Sequence, residues 1–484
     1  MKVWNRCDQD SQSFMDSRTR FSSLGRIWKQ VPQFALFGLL TVGGPSVAVS
    51  FQGANVDQGS SKPCVDSRTP TTLSEVRAIQ QSLLTERQPA TLFTLMPARY
   101  QQLRRAFEGF QRTGVPLVAF DGNSFYGAGF SDDPGEYYLI PKLASFLDLK
   151  LPTAIDVFLG TILCMSFLVG LVGFFFLFRR SLSRMVAFIG LFLLFLGTFR
   201  EGDVYVVLSS TAVALVPWLL YLVRRGVADG WFFTFASGAG LCAGVSTLIR
   251  SHSGTGFMLF MAIVVLLALR CGWRSRILLI AVALAACAAP SLYFHKLRDR
   301  RDAYLNTVRP ARTPIQEQHP FWHSVYIGFG FLSNEIVPAY SDEVAVNKVA
   351  AISPGAHYLS VEYEGVLKNE VFSLIRHHFS FVVLTLAAKL GVICFALLLS
   401  ANAGLLAAAL YPKTWPIELA FWVAIAFSSL FGILVVPYPK YLLGFIAFAT
   451  LYGVVSVDHA LEVRTDRQVA RVPSHSLRRA TCAV

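Results

Sequence analysis

The sequence predicts an all-α polytopic membrane protein, a bundle of about ten transmembrane helices with two long outward-facing loops. Three observations predict it. The chain has 484 residues, 54% hydrophobic and only 15% charged, where soluble domains run nearer a quarter charged; its mean hydropathy is +0.50. Apolar segments follow one another with short breaks. Lysine and arginine return at every second break: Arg179, Arg180 and Arg184, then Arg224 and Arg225, then Arg270, Arg274 and Arg276, then Lys413 and the basic tail. That alternation is the positive-inside pattern. It accounts for the net charge of +13 without nucleic acid, which is not an expected partner.

Residues 1–30 read as a polar, basic cytoplasmic tail. The apolar run 31–51 reads as a first span, although Gly43, Gly44 and Pro45 followed by small residues also resemble a signal peptide. The retained span is preferred because the topology closes with it in place. Residues 52–153 form a first outer loop, with amphipathic helices expected over 71–88 and 98–112 and a short strand or extended linker over 114–120. A surface helix is expected over 138–149, broken by Pro152.

The transmembrane bundle 154–294 then contains six apolar segments: 154–178, 185–199, 204–223, 231–249, 257–269 and 277–294. A second outer loop covers 295–378, and a C-terminal bundle covers 379–457, with its spans at 389–411, 415–436 and 441–457. Residues 458–484 form a cytoplasmic tail carrying Arg464, Arg467, Arg471, Arg478 and Arg479. The eight cysteines are scattered and no pair has metal-ligand spacing, so neither a disulfide framework nor a zinc site is expected.

The outward ends of the spans collect residues that topology alone does not explain. They carry Asp132, Asp133 and Glu136, followed by Tyr137; then Arg200, Glu201 and Asp203; then Arg250 and His252; then Lys440 and Tyr441. A charge near the hydrocarbon costs about 2.5–3.5 kcal/mol on insertion scales, so such groups tend to be paired or functional. Structural explanations exist for each. Arg200 can pair with Asp203, Arg250 can reach headgroups, and the basic run 296–312 can be a solvated helix. Asp132 and Asp133 can cap a turn before Pro134 and Gly135. The convergence of these groups on one side of one bundle favours a site, where carboxylates would take a proton and cations would hold a phosphate. His319 and His323 stand at i, i+4, but no carboxylate or cysteine completes a metal set, and Trp322 beside them suits sugar stacking.

The chain resembles the GT-C superfamily of membrane glycosyltransferases, in particular the bacterial protein-mannosyltransferase-like and lipopolysaccharide-modifying members. The resemblance rests on the acidic pair Asp132-Asp133 in the first outer loop, the surface helix after it, the many spans, and the stretch Tyr438-Pro439-Lys440-Tyr441-Leu442-Leu443 before the last span. Lys440 stands where the family often has arginine, which keeps the charge and loses the fork. The resemblance implies an inverting glycosyltransferase of a bacterial inner membrane. Its donor is a sugar on a polyprenyl phosphate, its acceptor a hydroxyl of a lipid, polysaccharide or protein, and its active site faces the periplasm with both termini cytoplasmic. Asp132 or Asp133 is the expected base. Lys440, Arg250, Arg200 and Tyr441 are expected at the donor phosphate, and Glu136, Tyr137, Asp203, His252, His319, Trp322 and His323 at the substrates. No cofactor is certain; a divalent metal is left open. The rivals are an O-antigen polymerase or ligase, and a transporter or flippase of anionic lipid-linked sugars.

Overall fold

The computed structural model describes residues 91–128, 133–226, 229–308, 321–358 and 360–470. The expected first span, the helix over 71–88, Asp132 and His319 lie outside these residues.

The described chain is helical apart from one small hairpin. Helix α1 (Pro97–Thr113) begins with proline in its first turn and ends on Gly114 in the left-handed conformation, the usual pairing of start and stop signals. Strands β1 (Val118–Phe120) and β2 (Phe125–Gly127) pair antiparallel, Val118 opposite Gly127. The sequence suggests a strand or a linker near 114–120; it is half of this hairpin. Helix α2 (Glu136–Phe146) follows the acidic motif and buries Tyr137, Ile140 and Ala144, packing between α1 and the first described span.

The bundle then runs through α3 (Leu151–Leu177), α4 (Ser181–Glu201), α5 (Val206–Arg225), α6 (Asp229–Ile249), the shorter α7 (Thr255–Leu267) and α8 (Trp273–Val308). Within the segment expected as the second outer loop, 295–378, lie α9 (Phe321–Gly328), α10 (Asp342–Ile352) and α11 (Val361–His377). The last elements are α12 (Phe379–Ala401), α13 (Ala403–Leu410), α14 (Trp415–Leu434) and α15 (Leu443–Ala470). Among the described residues, eight helices are long and apolar enough to cross a membrane; α7 is apolar but shorter. The chain is a polytopic helical membrane protein.

Close packing depends on small residues. Gly240 and Gly244 on α6 lie against the backbone of Ala283 and Cys287 on α8, where an added Cβ would fall 2.2 and 2.3 Å from a carbonyl oxygen. In a bundle without water between helices, this approach supplies the van der Waals contact that holds two spans together.

Two cores result. One runs through the bundle and takes in α1 and α2. The other joins α9, α10 and α11 to the first turns of α12, around Tyr326, Tyr363, Leu367 and Val382. Two boundaries differ from the expectation for a physical reason. Helix α8 does not stop at 294 but continues to Val308, because Leu297, Arg301 and Leu305 recur every fourth residue and are buried. Helix α12 starts at Phe379 rather than 389, since its first turns pack in the second core. Lys389, which looks like the start of a span, therefore stands inside a helix. It is 1% exposed and donates to the carbonyls of Ile433 (3.2 Å) and Val435 (2.8 Å), completing the end of α14.

Candidate functional site

The site is assembled from five chain segments that arrive at one rim of the bundle. The acidic motif is seated by Gly135, whose N–H donates to the carbonyl of Leu248 at 2.8 Å. A Cβ there would lie 2.8 Å from that same carbonyl group, so the loop reaches the end of α6 only as glycine. The approach carries Asp133 onto Arg250, the residue just beyond α6. Arg250 Nη1 donates to Asp133 Oδ2 at 2.6 Å, and the Ser251 N–H donates to Oδ1 at 3.2 Å.

Arg99, in the first turn of α1, completes the arrangement from above. Its Nη1 donates to Asp133 Oδ2 at 3.1 Å and to Glu136 Oε1, and its Nε lies 3.4 Å from Asp203 Oδ1. A cation in the first turn of a helix opposes the helix dipole, so three carboxylates must hold it there. Burial alone would raise the Asp133 carboxyl, but Arg250 and Arg99 outweigh it and hold the group below the ordinary carboxylate range. Glu136 goes the other way. It is completely buried, and burial pushes it up to about 8, against the pull of Arg99 and with the push of Asp133 and Asp203. Its Oε2 has no partner among the described residues. Burial lowers both guanidinium pKa values, but the carboxylates outweigh it, and Arg99 and Arg250 end above their ordinary range.

Asp203 sits in the tight turn between α4 and α5 with φ +56°, a strained conformation for a residue with a side chain. Its carboxylate accepts from the N–H groups of Val204 (2.7 Å) and Met96 (3.4 Å). It pairs with Arg99, not with Arg200. Tyr205, two residues on and also buried, is a hub for cations. Arg250, Lys440 and Arg99 stand 4.7, 5.8 and 5.9 Å from the centre of its ring, and Tyr441 meets it edge-on at 5.1 Å. Cations over an aromatic face are attracted by its quadrupole. Lys440, in the short helix Pro439–Leu442 that leads into α15, also reaches Met96 Sδ at 3.8 Å.

Against this rim opens a cavity of about 250 Å³. Its polar wall includes Tyr205, Arg250, Ser251, His252, Ser253 and Tyr441. The opposite walls are apolar: Leu208, Phe448, and Phe427, Leu430, Phe431 and Leu434 along one stripe of α14. His252 adopts φ +65°. The cavity thus sets apolar walls against a rim of hydroxyls and one guanidinium.

The expected site residues distribute as follows. Asp133, Arg250, Asp203, Lys440, Tyr441 and His252 come together at the rim or the cavity. Glu136 and Tyr137 lie behind it: Glu136 against Arg99, and Tyr137 donating to Gln102 Oε1 at 2.8 Å. Arg200 is exposed on the last turn of α4 and does not line the cavity. Trp322 and His323 belong to the second core. His323 is 4% exposed, with Nδ1 2.8 Å from the Tyr363 hydroxyl and Nε2 3.0 Å from Asp342 Oδ1. Trp322 packs on Phe372. Residues that sequence reasoning passed over are Arg99, Tyr205 and Lys389; only Arg99, a cation at a helix start, carried a signal.

A divalent metal fits poorly at the described carboxylates. Both Asp133 oxygens are engaged by N–H donors and Glu136 is sealed against Arg99. Among the described residues no group of three His, Cys, Asp or Glu side chains is placed to hold a metal ion.

No family model matches the chain, and no curated protein matches it. Among solved structures it is similar to the crystal structure of ArnT from Cupriavidus metallidurans in the apo state, with 13% identity over 80% of this chain and 76% of that one and a TM-score of 0.32. A likeness that distant has no weight for function.

Proposed function

We propose that this chain is a GT-C-type glycosyltransferase, which moves a sugar from a polyprenyl-phosphate-linked donor to an acceptor hydroxyl at the outer face of a bacterial inner membrane. One observation carries the reading: a partly buried arginine, Arg250, lines an apolar slot cut into a membrane bundle. The slot suits an isoprenoid chain and the guanidinium suits a phosphate. The second cation at the same ring, Lys440, adds charge where the leaving group develops it.

In this reading the acceptor oxygen forms a bond to the anomeric carbon while the carbon–oxygen bond to the phosphate breaks. The proton of the hydroxyl goes to a carboxylate base, and the lipid phosphate departs as an anion held by Arg250 and Lys440. A single displacement inverts the anomeric centre. Asp133 is a weak base in this setting, because two arginines hold it ionised. Its work is to aim Arg250. Asp132, its neighbour in sequence, is the base we propose.

The test uses purified protein with a panel of polyprenyl-phosphate sugars and measures release of the lipid phosphate. Release should depend on Arg250 and on Asp132, and Asp132→Asn should abolish it. Full activity in both Asp132→Asn and Arg250→Ala would remove this reading.

A further inference from the structure

The turn after α6 holds a hydroxyl with no work to do inside the protein. Ser253 is 7% exposed and lines the cavity. Its Oγ is buried and has no hydrogen-bond partner among the described residues. The polar groups around it are committed elsewhere. Its own N–H donates to the Arg250 carbonyl at 3.2 Å, the Gly254 N–H to Thr247 Oγ1 at 3.3 Å, and the Thr255 N–H to the His252 carbonyl at 3.1 Å. A serine at a helix start ordinarily caps it, but Gly254 occupies the cap position of α7 and Ser253 stands one residue too early. Buried hydroxyls are normally satisfied, and one left alone costs stability. A group kept at that cost, beside an open cavity and three residues from Arg250, calls for a partner that arrives from outside.

We infer that Ser253 is a ligand-binding residue whose hydroxyl donates to a phosphoryl oxygen of the anion held by Arg250. The inference rests on the reading of the cavity as a lipid-phosphate site. Arg250 supplies charge and Ser253 supplies a neutral donor on the same turn, at the positive end of the α7 dipole. No bond is made or broken by Ser253; it holds the phosphate before and after transfer.

The inference predicts opposite signs for two measurements on Ser253→Ala. Thermal unfolding of the ligand-free protein in detergent should be unchanged or shifted upward, because an unsatisfied hydroxyl has been removed. Binding of polyprenyl monophosphate should weaken by about tenfold, the worth of one hydrogen bond to a charged acceptor, and Ser253→Thr should restore it. Inorganic phosphate separates the sources: a matching loss for the free ion locates the contact at the phosphate rather than at the lipid. Unchanged binding of polyprenyl monophosphate by Ser253→Ala, or a clear drop in its ligand-free stability, overturns the inference. If Arg250→Ala loses binding while Ser253→Ala keeps it, the proposed function stands and this inference falls. If the wild-type protein binds neither phosphate probe, both fall.

Discussion

Two buried polar clusters use the same kinds of residue and differ in what they face. Around His323 every bond closes within the protein. Its ring meets Tyr363 and Asp342, and Glu364 accepts from the N–H groups of Trp322 (2.7 Å) and His323 (3.2 Å), tying off the start of α9. Neither His323 nor Glu364 lines the cavity. Around Arg99 and Arg250 the network is left open. Three cations crowd one tyrosine ring, and Arg250 borders the slot. A closed network fixes a fold, whereas an open one has capacity left for a ligand. Histidine and tryptophan in a motif look chemical in a sequence; here His323 is bonded to Tyr363 and Asp342, and Trp322 packs on Phe372.

The sharpest way to break this contrast is Arg99→Met. It leaves Asp133 and Glu136 buried with one fewer cation, and the loss of one partner from such a network costs about 3–5 kcal/mol. Denaturant unfolding in detergent should show it. Arg250→Ala comes next: removal of a preorganised charge at the leaving group should lower transfer by roughly 10²–10³-fold, read as release of lipid phosphate at matched protein levels. His323→Phe should do the reverse, with about 1–3 kcal/mol of stability lost through stranded polar partners and transfer per folded molecule unchanged. A loss of activity without a loss of stability in that variant would erase the distinction between the clusters.

The smallest effect is a change in pH dependence. Glu136 is pushed up to about 8 by burial, above its unfolded value. Its contribution to stability is therefore full below the ordinary glutamate range and is lost as pH rises towards about 8. Glu136→Gln should flatten that decline. The difference between the two proteins, measured by thermal unfolding across pH 5 to 9, isolates this group from the histidines.

Much of the architecture could be read from composition. Hydropathy located the spans from α3 to α8, because in lipid an apolar helix announces itself one segment at a time. It failed where a helix leaves the membrane and enters a protein core. There α8 runs on past 294; at α12 the error was different, since Lys389 stood as the start of a span whose apolar residues already begin at Phe379. Asp133, Arg250 and Lys440 were visible because charge is rare at those positions. Their partners were not. Nothing local marks Tyr205 as the ring on which three cations converge, and nothing local shows that Gly135 must touch Leu248 to deliver Asp133. Contacts between residues a hundred positions apart are set by helix packing, which one sequence does not print.

Helix α8 has 36 residues, about 54 Å at the usual rise, while the hydrocarbon layer is about 30 Å deep. Its surplus works as a mast. Near its far end Tyr304 meets Phe125 edge-on at 6.0 Å, and Arg301 lies under Gly127; the hairpin they carry packs on α1, the bearer of Arg99. One residue inserted between 295 and 301 would lift this rigging by about 1.5 Å and swing it by about 100°. Arg99 would then miss its anchorage even though every span in the bilayer stayed where it was.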